Sequence, residues 1–128
     1  MFKVIIAGSR NFDNYKLLES EIVKFIKPVG LNEVEIVSGT ARGADKLGEK
    51  FAKEKGCVLQ QFLADWNTYG KSAGYRRNAD MAKYADACVV FWDGKSKGTK
   101  HMIDLAKKSN IELKVIRINI AQSDQTIL

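Results

Sequence analysis

Cysteine and histidine are scarce in this chain of 128 residues, which contains two cysteines and one histidine. Cys57 and Cys88 each lie in an apolar run and form no Cys-x-x-Cys or Cys/His spacing, so we expect reduced thiols and no zinc site. His101 stands alone, which excludes a histidine-based metal cluster. We therefore predict no metal site and no required cofactor.

Long hydrophobic runs are also absent. No stretch approaches the roughly 18 consecutive apolar residues of a membrane span, and the apolar residues 1–8 are too few for the hydrophobic region of a secretory signal. We expect a soluble, cytoplasmic protein with no membrane partner. The length and an apolar fraction of 45% fit one compact domain. We assign residues 1–118 to that domain and residues 119–128 to a C-terminal tail that is mobile or contacts another subunit.

Acidic residues are outnumbered by basic ones. The chain has 21 Lys and Arg against 15 Asp and Glu, which gives a formal net charge of +6. A positive excess favours anionic partners, and a nucleotide and a nucleic acid strand fit it equally well. Charge therefore narrows the partner to an anion without choosing between these classes.

Apolar runs of strand length alternate with longer segments of helical period along the whole chain. Helices are predicted between the strands, the first capped by Asp13 or Asn14 and the second ended by Gly56. This alternation predicts a Rossmann-like α/β/α sandwich with a mainly parallel sheet of about five strands. Ligands of such folds bind beyond the carboxyl ends of the strands. The predicted strands cover about residues 2–7, 33–38, 57–63, 86–92 and 112–118, and the last two helices about 74–84 and 98–108.

The segment SGTARGAD, residues 38–45, follows the second predicted strand at the predicted start of a helix. Backbone N–H groups at a helix start have no intrahelical partner and carry the positive end of the helix dipole, so they suit a phosphate. The segment has neither the Walker nor the GxGxxG pattern, which excludes those two nucleotide-binding loops. Its candidate ligand-binding residues are Ser38, Gly39, Thr40, Arg42, Gly43 and Asp45.

Three further turns fall at the same predicted edge of the sheet. Residues 8–10 end the first strand, residues 93–99 repeat the glycine and hydroxyl pattern, and residues 64–74 form a loop whose aromatic rings can stack a base. Their candidate ligand-binding residues are Gly8, Ser9, Arg10, Trp66, Tyr69, Lys71, Arg77, Asn78, Asp93, Gly94, Ser96, Gly98 and Thr99. The structural alternatives are aromatic rings packed on the third helix, and pairing of Arg10 with Asp13 and of Arg76 and Arg77 with Asp80 and Asp86.

These motifs together resemble the YspA and cpYpsA-related branch of the SLOG superfamily over residues 3–107. The resemblance implies a Rossmann-like fold, binding of nucleotides or nucleotide-derived signals, and assembly into a homo-oligomer. Relatives in the superfamily include the LOG phosphoribohydrolases and the DNA-processing protein DprA. The LOG enzymes carry a PGGxGTxxE signature with a glutamate needed for cleavage, and Met102 falls at the similar position here.

Three functions follow as hypotheses. The first is binding of a nucleotide or a nucleotide-derived signalling molecule by a sensor or sequestering module. The alternative is cleavage or transfer at a nucleotide N-glycosidic bond; since a thioether cannot replace the LOG glutamate, its catalytic candidates are Asp45, Asp65 and Asp93. The second alternative is single-stranded nucleic acid binding like that of DprA.

Overall fold

A computed structural model describes residues 1–119 and gives one parallel sheet of five strands, in the order β3-β2-β1-β4-β5. Helices cover both faces, which confirms the Rossmann-like α/β sandwich. The strands are β1 Phe2–Gly8, β2 Val34–Ser38, β3 Val58–Gln61, β4 Ala87–Trp92 and β5 Glu112–Arg117. The helices are α1 Tyr15–Ile26, α2 Ala44–Lys55, α3 Trp66–Tyr69, α4 Ala73–Tyr84 and α5 Lys97–Lys108, with short 3-10 turns at Leu31–Glu33 and Gly70–Ser72.

The central strand β1 is buried on both faces. Val4 and Ile6 pack into the core that includes residues of α1 and α2, whereas Ile5 packs into the core that includes residues of α4 and α5. Strands buried on both faces read as continuous apolar runs, which is why the sequence predicted them without alternation. Met81 of α4 and Met102 of α5 are buried in the second core.

The strand order reverses at β1. The chain proceeds from β1 to β2 and β3 on one side and then crosses to β4 on the other. A crevice forms at such a point because the two connections leave in opposite directions. The turns that follow β1, β2 and β4 therefore meet at one edge of the sheet.

Two elements differ from the sequence prediction. The predicted loop at residues 64–74 contains α3 and a 3-10 turn, because the Asp65 carboxylate caps α3 by accepting a hydrogen bond from the Thr68 N–H at 3.1 Å. Strand β3 is shorter than predicted, and its pairing with β2 ends at Gln61. The apolar pattern marks neither the start of α3 nor the end of β3. For β3 the reason is that the strand is exposed throughout its length.

The other predicted caps are present. The Asn14 side chain accepts from the Leu17 N–H at 3.1 Å, and Gly56 ends α2 with a φ of 71°. Within residues 1–119, no helix has the length and apolar character needed to span a membrane. Apart from Asn119, the predicted tail lies outside the described residues.

Candidate functional site

The cleft at the carboxyl edge of the sheet holds three adjacent cavities, and Arg10 and Arg77 line all of them. We call them the outer, inner and side chambers, of about 390, 80 and 220 Å³. The outer chamber is also lined by Gly39, Thr40, Ala41, Arg42, Leu63, Ala64 and Trp66. The inner chamber adds Ala7, Gly8, Ala41, Asp45, Asn78, Met81, Ser96, Gly98, Thr99 and Met102, and the side chamber adds Trp66, Lys71, Gly74, Tyr75, Asn78 and Gly98.

The turn after β2 is held by the hydroxyl of Ser38. This side chain is fully buried; it accepts from the Thr40 N–H at 3.0 Å and donates to Glu49 Oε2 at 2.7 Å. Thr40 has a φ of 65°, a conformation that a β-branched residue adopts at a cost of roughly 1–3 kcal/mol. Ser38 therefore shapes the turn from behind, while the strained Thr40 lines the outer chamber.

Gly43 connects this turn to α2 and packs against the turn that follows β1. Its φ is 87°, and a Cβ at this position would lie 2.3 Å from the Ser9 carbonyl oxygen. We expect Gly43→Ala to lower the free energy of unfolding by at least about 2 kcal/mol, because both the conformation and the contact oppose a side chain. Urea unfolding measures the loss.

Gly98 provides the matched control for that experiment. A Cβ there would meet no atom within 4 Å, and the residue lies in the first turn of α5. Gly98→Ala should be neutral or stabilise by up to about 1 kcal/mol through the better helix propensity of alanine. Equal losses for the two substitutions would contradict the close packing at Gly43.

The turn after β1 brings Gly8 and Ser9 against the end of β4. A Cβ on Gly8 would lie 2.2 Å from the Phe91 carbonyl oxygen. Ser9 is buried, and its Oγ accepts from the Asp93 N–H at 3.1 Å. Its carbonyl accepts from the Ala44 N–H at 3.4 Å. Ser9 thus ties the β1, β2 and β4 turns together from beneath the cleft.

Asp45 is the carboxylate of the inner chamber. It is only 5% exposed, and its Oδ2 accepts from the Ala41 N–H at 3.1 Å. Burial raises the pKa of this carboxyl to about 6, against the opposing effects of the Ala41 hydrogen bond and the Arg77 charge. A buried acidic group with a raised pKa beside an arginine in a cleft is typical of functional sites.

Arg77 of α4 is fixed above this carboxylate. Its Nη1 donates to the Gly39 carbonyl, and its Nε donates to Asn78 Oδ1 at 3.0 Å. Asn78 is buried, and its Nδ2 donates to the Gly98 carbonyl at 3.4 Å and lies 3.3 Å from Nδ1 of His101. The guanidinium is therefore held by the turn after β2 and by Asn78, which itself bonds to the first turn of α5.

Arg10 is exposed and makes no ion pair with any residue in the range 1–119. The predicted alternative, pairing with Asp13, is thus not observed. The alternatives for Arg76 and Arg77 are not observed either, since Arg76 lies 4.2 Å over the Tyr69 ring. Arg10 retains its hydrogen-bonding capacity for a ligand.

Trp66 begins α3 and lies at the rim between the outer and side chambers. It is 53% exposed, so its ring is accessible to a partner. Tyr69 lines none of the three chambers, and one face of its ring is covered by Arg76. Of the two aromatic candidates, Trp66 is the one that the fold places at the cleft.

Only the second half of the turn after β4 lines the chambers. Asp93 Oδ1 accepts from the N–H groups of Lys95 and Ser96 at 2.8 and 2.9 Å. Burial alone would raise the pKa of Asp93, but these hydrogen bonds to the carboxylate outweigh it and the pKa is lowered. Gly94 packs against the Arg117 guanidinium, away from the chambers. Ser96 caps α5 and, with Gly98 and Thr99, lines the inner chamber.

The three candidate catalytic carboxylates thus have different positions. Asp65 caps α3 and Asp93 holds its own turn, whereas Asp45 lines the inner chamber. Met102 also lines this chamber. No three His, Cys, Asp or Glu side chains in the described part of the chain are arranged to hold a metal ion.

Several residues that line the chambers are not among the candidates predicted from the sequence, and Leu63 and Tyr75 are the large exposed ones. Leu63 is 78% exposed at the outer chamber, and Tyr75 lines the side chamber. The strand predicted over about residues 57–63 includes Leu63, whereas β3 ends at Gln61, and an apolar residue just beyond the carboxyl end of a strand is consistent with a ligand contact. Tyr75 lies in the first turn of α4, and this position is the sequence signal that could have identified it as a cleft residue.

The sequence pattern of the YspA, cpYpsA-related SLOG family matches residues 2–69. This chain belongs to that family. The Gene 61 protein of Mycobacterium phage D29 is 36% identical over 121 residues, which are 87% of this chain and 93% of the phage protein.

Two solved structures of DNA processing protein A share the fold. The Streptococcus pneumoniae protein superposes with a TM-score of 0.72 at 19% identity, covering 94% of this chain. The Helicobacter pylori protein, whose structure concerns its single-stranded DNA binding mode, gives 0.66 at 22% identity and covers 93%. This chain spans 52% and 66% of those two proteins, so the likeness concerns one part of each.

Proposed function

We propose that this protein binds a nucleotide or a nucleotide-derived signalling molecule in the cleft. The observation that carries the proposal is the outer chamber, where Arg10, Arg42 and Arg77 surround a cavity bordered by the exposed Trp66 ring. Its volume of about 390 Å³ is within the range of small-molecule sites. Guanidinium groups bind phosphate through paired donors, and an aromatic ring stacks a base.

The start of α2 supports this assignment. Gly43 and Ala44 place its N-terminus at the cleft, beside Thr40 and Arg42 of the outer chamber. The helix dipole and the arginines then act on the same phosphate group. Asp45, whose carboxylate faces the inner chamber, is suited to accept a hydrogen bond from a ribose hydroxyl.

The same geometry favours binding over cleavage of an N-glycosidic bond. Such hydrolysis ordinarily uses two carboxyl groups flanking the bond, and Asp45 is the single acidic side chain among the described residues that line the chambers. We expect ligand to remain intact after prolonged incubation with the protein. Chromatography that detects free base, absent with Asp45→Asn, would support the hydrolase hypothesis instead.

Isothermal titration with nucleoside diphosphates, ADP-ribose, NAD and cyclic nucleotides tests the proposal. We expect saturable binding of at least one of them. Arg10→Ala should weaken that binding by about ten- to hundredfold, since a hydrogen bond to a charged group contributes about 1.5–3 kcal/mol. Lys16 lies on α1, away from the cleft. Lys16→Ala removes one positive charge, as Arg10→Ala does, and should leave the affinity unchanged. Absence of heat with every ligand would contradict the proposal.

Single-stranded nucleic acid binding is the second candidate. It is supported by the positive charge of the chain and by the DNA-binding mode named for the H. pylori neighbour. It predicts that the affinity for labelled oligothymidylate rises with length and falls steeply between 50 and 200 mM salt. Fluorescence anisotropy separates the two functions, because binding confined to the chambers gives no rise with oligonucleotide length and a shallower dependence on salt.

A further inference from the structure

We propose that the ligand has two arms joined by a diphosphate, with a nucleoside in the outer chamber and a single sugar ring in the side chamber. This inference rests on the proposed function and specifies its ligand class as a nucleoside diphosphate that carries a sugar. The diphosphate would lie between Arg10 and Arg77.

The arrangement of the chambers supports two arms. Arg10, Arg77 and Trp66 line both the outer and the side chamber, so these three side chains form the wall that the chambers share. A molecule that enters both chambers must pass the two guanidinium groups. An anionic centre with an uncharged group on either side has the matching chemistry.

The shared wall favours a diphosphate with a substituent on each side over a phosphate monoester at one end of the ligand, because a chamber lies on either side of the two guanidinium groups. Arg10 has no ion-pair partner within residues 1–119. Burial lowers the pKa of Arg77 and the Arg10 charge lowers it further, against the opposing charge of Asp45. Arg77 is held in place by Gly39 and Asn78, so an anionic group between the two guanidinium groups would stabilise its charged form.

The side chamber is suited to a sugar ring. Its volume of about 220 Å³ is below that of complete small-molecule pockets, so it holds a fragment of a ligand. The exposed Tyr75 ring offers an apolar face, while the Lys71 ammonium supplies hydrogen-bond donors for hydroxyl groups.

Gly74 allows this chamber to be closed selectively. An added Cβ would lie 3.4 Å from the Trp66 ring and 3.6 Å from Arg77 Nη2, which are ordinary contacts, so alanine fits without displacing the backbone. The larger side chain of valine would extend beyond that point and occupy the chamber. Gly74 does not line the outer chamber.

The test compares each nucleoside diphosphate with its sugar-bearing counterpart by calorimetry: ADP with ADP-ribose, GDP with GDP-mannose and UDP with UDP-glucose. We expect at least one sugar-bearing ligand to bind about tenfold or more tightly than its parent. Gly74→Val should abolish this gain, which is read as the ratio of the two affinities within the same variant because the added side chain also contacts Trp66 and Arg77. Gly74→Ala should reduce the gain in part, and it provides the readout if the valine variant does not fold.

The outcomes separate this inference from the proposed function. Binding of a parent diphosphate with no gain from its sugar overturns the two-armed ligand and leaves the proposed function intact. A gain that Gly74→Val and Gly74→Ala do not change also overturns it, because the sugar would then lie elsewhere. Failure of all six ligands to bind overturns the two-armed ligand, whereas the proposed function is contradicted only if NAD and the cyclic nucleotides also fail to bind.

Discussion

Arg77→Ala is expected to weaken nucleotide binding by at least about a hundredfold, since it removes a charged donor from all three chambers. The loss should exceed that for Arg10→Ala, because Arg77 also holds the Gly39 carbonyl and Asn78. Without these bonds the turn after β2 is free to move away from its phosphate-binding geometry. Calorimetry with the tightest ligand of the panel measures the effect.

Arg77→Lys is the informative control. Lysine retains the positive charge but lacks the planar fork that reaches two acceptors at once. We expect it to recover only part of the affinity that alanine loses. Full recovery would mean that Arg77 contributes charge alone, and the account of the fixed guanidinium would be wrong. Circular dichroism of both variants should match the unmodified protein.

Asp45→Asn is expected to stabilise the protein at pH 8. The folded-state pKa of about 6 is above the ordinary value of 3.8, so the ionised carboxylate is disfavoured by folding. Each pKa unit corresponds to about 1.4 kcal/mol, which makes the charge at this position cost about 3 kcal/mol above pH 6. Asn keeps an oxygen for the Ala41 N–H and carries no charge.

The stabilisation by Asp45→Asn should depend on pH. Between about pH 4 and pH 6 the unfolded chain loses the proton while the folded protein retains it, so the stability contributed by protonated Asp45 falls as pH rises. The advantage of Asp45→Asn should therefore shrink by about 2 kcal/mol between pH 8 and pH 4.5. Urea unfolding at both pH values measures it. A constant difference would show that Asp45 titrates as an exposed acid does.

A buried charge that lowers stability supports the proposed role of Asp45 in ligand binding. Protonation of this carboxyl also removes a negative charge from the inner chamber, which favours an anionic ligand at acidic pH. In Asp45→Asn this dependence should disappear. A stability cost of this kind is common at binding sites.

Much of the fold could be predicted from the sequence because parallel strands buried on both faces leave continuous apolar runs. Ile5 and its neighbours in β1 are examples. The convergence of the candidate turns could be predicted for the same reason, since the carboxyl ends of parallel strands meet at one edge. The short β3 and the helix at Trp66 could not, because an exposed edge strand and a capped turn leave no apolar period.

The roles of individual side chains were harder to predict. A serine hydroxyl can donate a hydrogen bond to a phosphate, but the hydroxyls of Ser9 and Ser38 bond to other groups of the fold instead. The sequence also does not distinguish Asp65, which caps a helix, from Asp45, which lines a cavity. Only the packing distinguishes them. The homo-oligomer implied by the family resemblance stays a prediction.

The fluorescence of Trp66 tests nucleotide binding in this cleft most directly. The chain contains two tryptophans, so Trp92→Phe leaves Trp66 as the reporter. Titration of that variant with the nucleotide panel should give a saturable change in emission, which Arg10→Ala weakens and Lys16→Ala leaves intact. No saturable change with any nucleotide, or a change that Arg10→Ala does not affect, would contradict the account.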